Sequence, residues 1–139
     1  MDSGVIFLFA AIFIVAALIF GIIGMVRKSG GHLNIEKYRS KWLAVEQSLV
    51  RNKIETVPLA IINADKLVDQ ALRERGIGGA TMGERMKTAQ ATWTRGDALW
   101  DAHKLRNKLV HETDASVSYD QARRALAGYK RALKDLGAI

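Results

Sequence analysis

The sequence contains no cysteine, which excludes disulfides, thiolate-held metals and a cysteine nucleophile. That absence fits a reducing cytoplasm. There is one proline, Pro58, so long stretches are free to be helical. Three histidines are too few for most all-histidine metal sites, and no metal or other cofactor is expected. No segment alternates apolar and polar residues for long enough to be a strand. Internal repeats and low-complexity tracts are also missing. These absences leave an all-α protein.

Charge is missing from one part of the chain only. Asp2 is the sole charged residue before Arg27, so a total of +7 leaves +8 on everything after Val26. Such a surface suits an anionic partner, either RNA or the lipid headgroups of an inner leaflet, or serves simply to keep a membrane-proximal domain soluble.

The uncharged run Val5–Val26 spans roughly 33 Å as a helix, enough for the hydrocarbon core of a bilayer. Lipid offers no hydrogen bonds, so a spanning run must satisfy its backbone internally as a helix. A cleaved signal peptide would begin with positive charge and end in a small-x-small site; this chain begins Met-Asp-Ser-Gly and the run leads into Arg27-Lys28. A lipoprotein signal needs a cysteine. A buried helix of this length would rarely be apolar on every face. The expectation is therefore a single-pass anchor, residues 1–28, in the cell (inner, cytoplasmic) membrane. Lys and Arg follow the run (Arg27, Lys28, Lys37, Arg39, Lys41) and none precede it, which places the N-terminus outside and the C-terminal domain in the cytoplasm. Ala17 and Gly21 form a small-xxx-small pair, a candidate helix-pairing face.

Residues 29–33, with Ser29-Gly30-Gly31, form a short linker, and residues 34–139 form the cytoplasmic domain. Ile35, Tyr38, Trp42, Val45 and Leu49 recur at helical spacing, predicting a helix over 34–52 with Asn34 as its cap. A second helix is predicted over 56–75, with Pro58 in its first turn, Leu59, Ile62, Leu67, Ala71 and Leu72 on its apolar side, and Gly76 after its end. Thr81–Glu84 and Ser118–Gln121 have the capping-box pattern, opening a short helix to about Ala91 and a last helix to Leu136. Between them a helix runs from Asp97 to Glu112, with Ala98, Ala102, Leu105 and Leu109 as its core stripe. The result is one transmembrane helix followed by an antiparallel four- to five-helix bundle.

Gly76–Gly83 follows a helix rather than a strand and lacks a Gly-Lys-Ser/Thr ending, so it reads as a connection, not a phosphate loop. Trp42 belongs in the core; Trp93, in a break, is less constrained, although exposed tryptophans can stack on bases. The most informative segment is Leu99–Glu112. His103, Asn107 and His111 are four apart and share a helix face, with Arg106 bordering it. Two histidines eight apart do not chelate one metal unaided. Arginine offers a planar fork of donors to phosphate oxygens, and histidine gives and takes protons near neutrality. With RNA the substrate's own 2′-hydroxyl can be the nucleophile. The bland alternative is that these are structural residues near a helix end, where the dipole also favours histidine.

Arg106-Asn107-Lys108-Leu109-Val110-His111 resembles the Arg-polar-x-x-x-His signature of HEPN domains, all-helical bundles found in many RNases. The motif lies near the end of a late helix with one more helix after it, and the resemblance covers roughly Leu33 to Leu136. It implies a HEPN-like bundle acting as a metal-independent endoribonuclease, with RNA as substrate and a homodimer bringing two motifs into one cleft. His111 would then transfer protons, Arg106 would bind the scissile phosphate and Asn107 would orient the site. His103 lies outside the motif and enters only through the shared stripe. A second reading remains at this level, a non-catalytic membrane-tethered scaffold that docks a cytoplasmic protein partner.

Overall fold

The computed structural model describes residues 2–28 and 30–139, with side-chain surroundings for 2–23 and 30–139. The chain divides into two compact units, Met1–Gly30 and Gly31–Ile139. The first is a single helix, α1 (Ser3–Lys28). Its Ser3–Ile23 portion is long and apolar enough to cross a membrane, and none of it is buried inside the protein. Phe7, Phe13 and Phe20 are all exposed, part of an apolar surface that soluble monomers rarely show.

The second unit is a helical bundle. Its elements are α2 (Ile35–Ser48), α3 (Val57–Glu74), α4 (Met82–Thr88), α5 (Gly96–His111) and α6 (Tyr119–Asp135), with single 3₁₀ turns before α3 and after α4. No strand occurs among the described residues. The helix starts are set by side chains that take up unpaired backbone donors. Asn34 Oδ1 accepts from Lys37 N, and Thr81 Oγ1 from Glu84 N. Ser118 and Gln121 form a complete reciprocal capping box. Pro58 sits in the first turn of α3, where its missing N–H costs nothing.

Cross-links fix the helix directions. Lys37 and Lys41 reach Glu74 and Gln70, so α2 runs antiparallel to α3. Asp65 meets Tyr129 and Arg75 donates to the Leu136 carbonyl, so α3 and α6 are parallel. Thr94 meets Asp135, and Ala98 faces Gly128, so α5 returns antiparallel to α6. The short α4 lies across α3 and α5, with Arg85 on Asp69 and Gly83 beside Trp100. The core between them is Tyr38, Trp42, Ile61, Val68, Leu72, Met86, Leu99, Leu126, Tyr129 and Leu133. Trp93 is half-buried and donates its indole N–H to the Met86 carbonyl.

Three expectations need correction. The first bundle helix ends at Ser48 rather than near residue 52, because Leu49 and Val50 turn the chain toward the 3₁₀ turn at Ile54–Thr56. Ile35 and Leu59 fit their apolar stripes by spacing yet are exposed. Each sits in the first turn of its helix, at an end of the bundle where no neighbour covers it.

At Gly128 a Cβ would stand 2.8 Å from the Ala98 carbonyl oxygen, so the α5–α6 approach depends on a hydrogen there. Gly128→Ala therefore destabilises the bundle by about 1–3 kcal/mol through overpacking, although alanine is the better helix former. Urea unfolding of residues 31–139, which carry their own core, measures this; a gain in stability would show that the helices part easily.

Candidate functional site

The predicted stripe on α5 divides between interior and surface. At its centre is a residue the sequence reading passed over, Asp65 of α3. It occupies an interior position between Ile61 and Val68 and is 3% exposed. Its Oδ1 accepts from His103 Nδ1 at 2.8 Å and from the Tyr129 hydroxyl at 2.9 Å. Arg106 Nε lies 3.3 Å from its Oδ2, within ion-pair reach but not aligned as a hydrogen bond. Three helices thus converge on one buried carboxylate. Burial, and then the adjacent carboxylate, push the Tyr129 phenol well above its ordinary range, so it stays a donor.

The donor pattern around the carboxylate closes on itself. Arginine has no acceptor, so the 2.9 Å contact of Arg106 Nη1 fixes the Asn107 amide with its oxygen toward the guanidinium. The amide nitrogen is left facing His103 Nε2 at 3.4 Å. His103 then accepts at Nε2 and donates at Nδ1 to Asp65. His103 is consequently buried, with Trp100 edge-on to its ring at 6.2 Å, and does not line an open surface as its stripe position suggested.

Arg106 and Asn107 are half-buried, and the Arg106 side chain retains 25% exposure. His111 is exposed in the last turn of α5. Because α5 is antiparallel to α3 and α6, His111 lies at the end of the bundle opposite Gly31, where the chain enters. The structure therefore brings His103, Arg106 and Asn107 into one network around Asp65 and leaves His111 outside it.

A hollow of about 600 Å³ lies between α5 and α6, floored by Ala98, Ala102, Ala125 and Gly128 and edged by Arg95, Arg124 and Arg131. It belongs to the other side of α5 and holds none of the four predicted residues. Among the described residues no three His, Cys, Asp or Glu side chains converge as a metal site. No family model, curated protein or solved structure matches the chain.

Asp65 and Tyr129 could have been suspected from spacing. Ile61, Asp65, Val68 and Leu72 form one stripe, and an acid there is buried and must be paired. Tyr129 lies similarly between Leu126 and Leu133.

Removing the carboxylate leaves two donors and a guanidinium without their acceptor. Asp65→Ala is expected to cost about 3 kcal/mol, and Tyr129→Phe about 1–2 kcal/mol. Denaturant midpoints of residues 31–139 report both. Equal effects from the two substitutions would contradict the placing of Asp65 as the common acceptor.

Proposed function

We propose that this chain is a single-pass, membrane-anchored HEPN-like protein whose cytoplasmic bundle cleaves RNA without a metal. The observation that carries the reading is the division of labour on α5. Arg106 is held from behind by Asp65 and Asn107 while a quarter of its side chain stays exposed, and His111 is free at the exposed end of the same helix. A guanidinium immobilised before substrate arrives stabilises developing charge on a phosphoryl group without reorganising. The exposed His111 is available to move protons.

In the proposed reaction the 2′-hydroxyl of RNA attacks the adjacent phosphorus. Its proton passes to a histidine, the bond to the 5′-oxygen breaks, and that oxygen leaves with a proton. The products are a 2′,3′-cyclic phosphate and a 5′-hydroxyl end. Each chain offers one exposed His111, so a homodimer supplies two, one as base and one as acid. Confinement by α1 to a membrane raises the local concentration of chains and favours that pairing. The uneven Lys and Arg flanks of α1 support a cytoplasmic bundle, and its positive charge supports association with RNA.

A second reading, a non-catalytic tethered scaffold, draws on the same Asp65. Its carboxylate already balances Arg106 within the chain, as a purely structural pair would. The two readings separate at His111. For the nuclease, the full chain cleaves RNA in EDTA. His111→Ala lowers the rate by about 10²–10⁴-fold while shifting stability by less than about 0.5 kcal/mol. RNA binding without cleavage, across varied sequences, would favour the scaffold.

A further inference from the structure

The end of the bundle where the chain enters carries an unused surface. Ile35, Arg39 and Leu43 stand four apart on α2, on a stripe that leads away from the buried face of Tyr38, Trp42 and Val45, and all three are exposed. Ile35 is 42% and Leu43 53% exposed. Beside the stripe, between α2 and the end of α6, is a shallow and mostly apolar hollow of about 390 Å³. Trp42, Leu43 and Ile139 form its apolar part, and Arg39, Lys130 and Lys134 surround it together with Glu46. Lys130 is tied to Glu46 at 2.7 Å. Among the described residues, Arg39 and Lys134 have no ion-pair partner. An apolar strip edged by free cations matches an anionic lipid surface, which offers phosphate at the height of the charges and hydrocarbon just beneath.

The connection from α1 to the bundle is short. Only Ser29 and Gly30 separate the end of α1 from the bundle unit, so Lys28 to Gly31 extends at most about 11 Å. Gly31 is not slack either. A Cβ there would lie 2.5 Å from the Glu74 carbonyl oxygen, so the backbone runs tightly along the end of α3. Leu33 is buried in the core. The entry point is thus fixed on the bundle next to the start of α2.

We propose that the Ile35–Arg39–Leu43 stripe and the cation Lys134 dock the bundle on anionic phospholipid headgroups of the membrane that α1 spans. Ile35 and Leu43 enter the interface, and Arg39 and Lys134 pair with lipid phosphates. The proposal rests on α1 being a membrane anchor.

Because the chain has no cysteine, single-cysteine variants take one environment-sensitive fluorophore each. The full chain is reconstituted in vesicles of phosphatidylcholine alone, or with about a third phosphatidylglycerol. Labelled Leu18→Cys in α1 tests the anchor, and labelled Leu43→Cys tests docking. Lys87→Cys, exposed on α4, is the aqueous reference. The expected result is quenching of the Leu18 label by spin-labelled lipid in both vesicles. The Leu43 label shifts to the blue and is quenched in anionic vesicles, and reverts in 1 M salt. Arg39→Ser and Lys134→Ser each lower the docked-to-undocked ratio about fivefold. An unquenched Leu18 label would remove the anchor and the docking with it. A quenched Leu18 label with Leu43 as aqueous as Lys87 would overturn docking alone. A Leu43 blue shift that grows with protein density but is not quenched by lipid would assign the stripe to a second copy instead.

Discussion

A carboxylate in the interior of the bundle constrains everything around it. Asp65 is stable there only because His103, Tyr129 and Arg106 surround it. Those partners come from α5 and α6, so the charge on α3 cannot be satisfied until the three helices are in register. Apolar burial is non-directional; the hydrogen bonds at 2.8 and 2.9 Å add direction to that register. The same constraint gives Arg106 its fixed position, through Asp65 on one edge and Asn107 on the other, and it turns His103 inward.

The consequence is a graded helix. The half of α5 under α4 is interior, with Leu99, Ala102 and His103 buried, and its last turn is open. Arg106 and Asn107 lie at the boundary between the two. A site placed there has a rigid floor and a solvent-facing edge, which is the arrangement a phosphate-binding arginine requires. The proposed functions of the two ends of the bundle follow from helix direction. The tethered end collects the start of α2 and the ends of α3 and α6. The opposite end carries the last turn of α5.

Most of the fold was legible because local chemistry and tertiary packing agree. Asn34, Thr81 and Ser118 each mark a helix start by accepting from a backbone donor that needs a partner, Pro58 by lacking the N–H that would need one, and the structure uses all four. Spacing was less informative at helix ends. Ile35 and Leu59 have the right period, but period fixes a direction around the helix axis and not whether anything lies alongside at that height. The site was legible only as a face. His103, Asn107 and His111 do share a direction on α5, yet they differ in burial because α4 covers one part of that face. Asp65 was missed because it belongs to another helix, 38 residues away in sequence from His103. No pattern local to α5 contains it.

Asp65 fixes one end of the α5 face as structure, and the proposed contact with RNA lies at the other end. Histidine ¹⁵N NMR of the protein, with and without an uncleavable 2′-O-methyl RNA, tests it directly. His103 is expected to be the Nδ1–H tautomer, unchanged by RNA, while the His111 ring signals move. A His103 protonated at Nε2 alone, or RNA that shifts His103 and leaves His111 untouched, would contradict it.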